Sequence, residues 1–287
     1  MAIKSEWVFD VTEADFDEKV VKKSLQVPVV VDFWAPWCGP CRALAPMLER
    51  AISSLNFAVL LAKVNIDDEQ GLAAQFGISS IPHVVSFKKG KAFLQFTGLL
   101  EDVHLKDFFD RLEPTQAEKE TEQAAGLEKT NPQQAETTYR LALKNNPRQE
   151  DAIVGLARVL IEQNKDKDAA DVLDQIGSHG EFGAEADKLR AILWLREQAK
   201  ELPDEDALRA KVAANPKDAP ALCDLGLRLA VHGKSTEALE SLLQAGRLDR
   251  KLVATRVKET MVKIFFVIGV RSELADAYRD KLTSLLY

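Results

Sequence analysis

At 287 residues, with 46% apolar and 29% charged side chains, the chain is longer than one typical domain of about 100–150 residues and is composed to fold. Its net charge of −7 is spread along the sequence without a basic patch or charged tail, which argues against nucleic acid and anionic membrane as partners. No apolar run approaches the roughly 18 residues of a membrane span; the longest, "MVKIFFVIGV", is interrupted by Lys263.

The opening "MAIKSEWVFDVTEADF" has no apolar stretch of signal-peptide length behind a basic segment, so a cytoplasmic protein is expected. Next comes "VPVVVDFWA", an apolar, β-branched run that reads as a buried parallel strand. "RALAPMLERAISSL" follows, with Leu44, Met47, Leu48 and Ile52 at helical spacing. Between them, "WCGPC" places two of the three cysteines, Cys38 and Cys41, where the strand hands over to the helix.

In a reducing compartment such a pair reads as catalytic or metal-binding before it reads as a staple. Zinc is disfavoured, and no metal is expected. One CxxC, a distant Cys223 and scattered His83, His104, His179 and His232 make no second half-site. Redox chemistry fits the position. Free N–H groups and the positive end of the helix dipole favour a thiolate on an exposed Cys38, the attacking nucleophile. Cys41, one turn further in, can then resolve the mixed disulfide. Pro40 stiffens the first turn, and Gly39 admits a substrate backbone.

With these residues the stretch resembles the thioredoxin family, and the resemblance extends over residues 6–112. It implies an α/β thioredoxin fold in which Asp32 is a buried carboxylate serving the second cysteine and Lys63 is its neighbour. In "FGISSIPHVVSFKKGK" it implies a cis Ile81–Pro82 bond facing the disulfide. Ile81 would pair with the substrate backbone, and Gly98 would keep the opposite rim low beside Trp37. The sequence departs from the family at His83, where threonine is usual, and at Arg42, where lysine is common. An ordinary packing role in the strand is the expectation for His83.

Beyond Leu112 the character changes. "EPTQAEKETEQ" reads as a boundary leading into a helix, giving domains 1–112 and 113–287, and no convincing strand follows. "AETTYRLALKNNP" resembles the second helix and exit turn of a tetratricopeptide repeat. Ala169 lies 34 residues after Ala135, and Ala238 lies 69 residues after Ala169. The segment between is a degraded copy whose Asn215–Pro216 repeats Asn146–Pro147. An all-α repeat domain with a concave surface open to peptides or partner helices is expected, with Leu156, Leu160, Leu225 and Leu229 in its core. Cys223 is expected as a small buried apolar residue, and His179 as a turn residue. The last helix, capped by Ser272, carries Tyr278, Leu282, Leu285, Leu286 and Tyr287, which either cap the array or dock a partner.

A thioredoxin-like domain joined to degenerate repeats and ending in "KLTSLLY" resembles the bacterial chaperedoxin (CnoX/YbbN) family. The resemblance implies a holdase that binds unfolded or oxidised clients without a cofactor and guards their cysteines. It also implies hand-over to GroEL through the terminal helix, with the DnaK system and thioredoxin reductase as further partners. The competing expectation is a disulfide reductase whose repeats act only as a substrate adaptor.

Overall fold

The computed structural model describes residues 7–56, 58–177 and 180–286. Contacts divide the chain into Met1–Pro114 and Thr115–Tyr287, two residues beyond the expected break.

In the first unit five strands form one sheet: β1 (Val8–Asp10), β2 (Val29–Trp34), β3 (Leu60–Asn65), β4 (His83–Lys88) and β5 (Lys91–Thr97), in the order β1-β3-β2-β4-β5. β3 runs parallel to both β1 and β2, whereas β4 runs antiparallel to β2 and β5. Central β2 is apolar almost throughout because both of its faces are covered. Val30, Leu61 and Val84 face α1 (Gly39–Ser53) and α3 (Asp102–Asp110), through Leu44, Leu48, Leu105 and Phe109. Val29, Val31 and Phe33 face the other way, toward Phe16, Val20 and Leu72, the last on α2 (Gln70–Gln75). By this alternation Asp32 and Lys63, neighbours in the β2–β3 register, project from the face that α1 covers.

In the second unit the described residues contain helices and no strand. α4 (Gln116–Leu127) starts on a capping box formed by Thr115 and Glu118, and α5 (Pro132–Asn145) is capped by Asn131. The run continues through α6 (Glu150–Glu162), α7 (Asp166–Leu173), α8 (Gly183–Ala199), α9 (Glu205–Ala214), α10 (Ala219–Val231) and α11 (Ser235–Leu248). α12 (Arg250–Leu252) passes through a π-helical turn into α13 (Lys258–Ile268), and α14 (Glu273–Leu286) closes the array. Repeat residues form the core as expected: Leu156, Leu160, Leu225 and Leu229 are buried.

The 69-residue period is written in charge as well as in apolar residues. Glu136 accepts hydrogen bonds from Arg140 and Lys165, and 69 residues on Glu205 accepts them from Arg209 and Lys234. The degraded copy therefore still folds as two helices, α8 and α9, each packed on α10. Small residues set the closest approaches: a Cβ on Gly155 would lie 2.3 Å from Tyr139 Cζ, and one on Gly226 2.8 Å from Leu242 Cγ. Tyr139 in turn donates to the buried Glu128, which also takes two hydrogen bonds from Arg158.

The terminal helix is part of this packing. Tyr278 and Leu282 are 4% and 5% exposed in the core shared with α10 and α11, and Leu285 packs against the same cluster. The Tyr278 hydroxyl donates to Glu240. Of the two expectations for this stripe, capping the array describes the packing of Tyr278, Leu282 and Leu285 in this chain. Leu286 is exposed, and Tyr287 and His179 lie outside the described residues. Cys223 is buried, and burial pushes its thiol up to about 11, as suits a small core residue.

Candidate active site

β2 ends at Trp34, and four residues later the chain enters α1 with Cys38 as its N-cap. The backbone of Cys38 is extended (φ −77°, ψ 106°), and its Sγ accepts the Cys41 N–H at 3.1 Å. The two sulfurs are joined in a disulfide, with Cα atoms 5.3 Å apart. Pro40 lies in the first turn, where a missing N–H costs nothing.

Cys38 was expected to be exposed, and it is only 3% exposed. As N-cap its side chain folds back over the first turn toward Cys41 and away from solvent. The exposed surface belongs to its neighbours Trp37 (66%), Gly39 and Pro40. Trp37 is fixed by its indole N–H, which donates to Asp67 Oδ2 at 2.9 Å. The Arg42 guanidinium donates to the Pro36 carbonyl at 2.8 Å, bracing the same loop from the helix side.

Asp32 is buried, and neither carboxylate oxygen has a hydrogen-bond partner among the described residues. Burial pushes its pKa up to about 6, while the charge of Lys63 pulls it down. The Lys63 ammonium sits 5.2 Å from the centre of the Trp34 ring, on the same sheet face. A carboxyl group that changes charge near neutral pH therefore lies under the helix that carries Cys41.

Two further loops complete the groove. The Ile81–Pro82 bond is cis. Pro82 immediately precedes β4, whose first residue pairs with Phe33 of β2, so this loop lies beside the strand end that leads to Cys38. Gly98 (φ 88°) donates its N–H to the Pro82 carbonyl at 2.8 Å, and a Cβ on it would meet nothing within 4 Å. Beside these two residues Ile81 is half-exposed and Leu99 exposed. The described contacts set Asp32 beside Lys63, join Cys38 to Cys41 next to Trp37, Gly39 and Pro40, and tie Gly98 to Pro82 after Ile81, whereas the residues of α14 lie in a different unit.

Asp67 and Trp34 were not foreseen. Asp67 follows β3 in "NIDDE", and only the β2–β3 register, which sets Asn65 beside Trp34, shows that it can reach Trp37.

An N-capping cysteine bonded to a second cysteine one turn in, at the end of the central strand of a mixed sheet, defines a thiol–disulfide exchange domain. The thioredoxin family model matches residues 7–111, and two tetratricopeptide repeat models match residues 126–193 and 198–287. The chain is 48% identical over 104 residues to a probable thioredoxin-2 of Caenorhabditis elegans, a match that covers 36% of this chain and 70% of the relative. It is 38% identical over 104 residues to the thioredoxin of Haemophilus influenzae (36% of this chain, 95% of the relative). It is 40% identical over 101 residues to thioredoxin 1 of Synechococcus elongatus (35% and 92%). The chain belongs to the thioredoxin family, and its thioredoxin domain is followed by tetratricopeptide repeats. No described helix is long and apolar enough to cross a membrane.

Proposed function

We propose that the protein is a chaperedoxin: it receives unfolded or oxidised client proteins in the cytoplasm, guards or reduces their cysteines at Cys38–Cys41, and passes them to refolding chaperones such as GroEL. The observation that carries the proposal is one chain in which an exchange-competent cysteine pair is joined to a helical repeat array.

In the reduced state the Cys38 thiolate attacks one sulfur of a client disulfide. The other client sulfur leaves as a thiolate and takes a proton. Cys41 then gives up its proton and attacks Cys38 Sγ, which releases the second client thiol and leaves the Cys38–Cys41 disulfide. Asp32, with a pKa about 6, is suited to accept the Cys41 proton near neutral pH, and Lys63 steadies the carboxylate that forms. Ile81 offers its backbone to an extended client segment between Trp37 and Gly98. Each turnover needs a dithiol donor to reduce the protein again, and thioredoxin reductase or a reduced thioredoxin has the right chemistry.

The second reading, a reductase whose repeats only select substrates, is favoured by one observation. Among the described residues of the repeat unit the exposed large apolar side chains are Leu141, Leu248, Val270 and Leu286, far apart in sequence. Light scattering from a chemically unfolded, cysteine-free client, diluted into wild type and into the Cys38→Ser, Cys41→Ser variant, separates the two. Equal suppression of aggregation by both proteins is expected of a chaperedoxin. Suppression by neither leaves the adaptor reading.

A further inference from the structure

His83 departs from the family pattern and has no part in the exchange steps above. It is the first residue of β4, directly after the cis proline. Its backbone is paired on both sides, with Phe33 of β2 and Thr97 of β5, so its side chain shares the face of Phe33 and not that of Asp32. Nδ1 lies 2.7 Å from Thr97 Oγ1, and the ring centre is 6.3 Å from that of Phe33. Nε2 is buried and has no hydrogen-bond partner among the described residues.

The next residue on each strand gives this contact its meaning. Thr97 precedes Gly98, whose N–H holds the Pro82 carbonyl. The two rims of the groove are therefore tied twice: once through backbone, Gly98 to Pro82, and once through side chains, Thr97 to His83. We propose that neutral His83 is a positioning residue for polypeptide substrates: it clamps the Ile81–Pro82 rim to the Thr97–Gly98 rim, and its protonation releases the clamp.

A threonine hydroxyl both donates and accepts, so the Nδ1 contact is satisfied in either neutral tautomer. The imidazolium differs in charge: both nitrogens must then donate, and the charge sits where burial disfavours it and the neighbouring Gln95 offsets only part of that cost, which draws the ring off Thr97 toward water. The groups that face His83 are Phe33 from β2 and Gln95 and Thr97 from β5, none of them ionisable. Asp32 and Lys63 project from the opposite face of the sheet. Burial accordingly holds the imidazole below its ordinary value, against a smaller opposing effect of Gln95.

A small disulfide needs only Cys38, whereas a peptide must also lie along Ile81. The test, which rests on the dithiol reading of Cys38–Cys41, uses the reduced full-length protein. The rate of reduction of a soluble peptide disulfide is divided by the rate with the small reagent DTNB, from about pH 8 to about pH 5. The ratio cancels ionisation of Cys38, which both reactions share. In wild type it is expected to fall about threefold or more on acidification. In His83→Gln, whose amide reaches for Thr97 and does not titrate, it is expected to stay flat. Thr97→Val is expected to lower the ratio across the whole range. The same acid fall in wild type and His83→Gln, or a ratio untouched by Thr97→Val, overturns the inference alone. Failure of the wild-type protein to reduce DTNB overturns the dithiol reading and the inference together.

Discussion

Replacing Asp32 by asparagine keeps the shape of the side chain and removes its charge, so the substitution isolates what a buried carboxylate costs this fold. Moving an aspartate from its ordinary 3.8 to about 6 corresponds to about 3 kcal/mol between the two protonation states. Desolvation is the larger cause, and the Lys63 charge has already been set against it. Because the folded value lies above the unfolded one, the folded protein holds the proton more tightly. Wild type therefore loses stability as pH rises from about 4 through about 6, and the loss is complete above that. Asparagine does not titrate. Asp32→Asn is thus expected to stabilise the first unit by about 3 kcal/mol at pH 8 and by almost nothing at pH 4. Hydrogen exchange of the slowest amides in β2 and β3, measured on the oxidised full chain, reads this difference without isolating a domain. A gain that is the same at both pH values, or below about 1 kcal/mol at pH 8, would refute the reasoning and show that Lys63 or water compensates the charge.

Cys41→Ser removes the resolving thiol, so mixed disulfides on Cys38 should accumulate in oxidised cells and appear as high-mass bands on a non-reducing gel. An empty gel would count against Cys38 as the attacking residue. Gly155→Ala drives a methyl group into Tyr139 and is expected to cost the repeat unit about 1–3 kcal/mol in urea unfolding. An unchanged midpoint would mean that the ring swings aside freely. In α14, Tyr278→Ala should cost about 3–5 kcal/mol, because it empties a core site and leaves Glu240 without its donor. Leu286→Asp should stay within about 0.5 kcal/mol. The reverse order in calorimetry would return Tyr278 to the surface.

The cysteine pair was legible because its spacing and its place between an apolar strand and a helical run fix both geometry and chemistry locally. Asp32 and Lys63 were legible through family pattern, but only the β2–β3 register explains why they share a face. Exposure was not legible. The burial of Cys38 depends on its side chain folding over the first turn as an N-cap, a rotamer choice that leaves no mark in composition. The Trp37–Asp67 hydrogen bond spans 30 residues and exists because two strands lie side by side, so no local pattern announces it. The stripe on α14 shows the limit most clearly. Periodicity establishes that Tyr278, Leu282 and Leu285 share one face, but a covered face looks the same in sequence whether its own chain or a partner covers it.

That same ambiguity governs what the repeats can do. A stacked array is expected to leave a concave surface, and within this one α13 packs directly against α8, with the Lys263 ammonium 5.7 Å from the centre of the Trp194 ring. Ile192, Leu193 and Trp194 are half-buried there. In the first unit, by contrast, Trp37 stands exposed next to the disulfide and Leu99 next to Gly98. Large exposed apolar side chains thus occur in both units, with Trp37 the more exposed at 66% and Leu141, Leu248, Val270 and Leu286 scattered through the array. Holding through the repeats would require α8 and α13 to separate, and loss of that packing would uncover apolar faces now shielded by each other. On the proposed reading, capture and disulfide exchange would begin at the same place, the exposed apolar surface of Trp37 beside the disulfide.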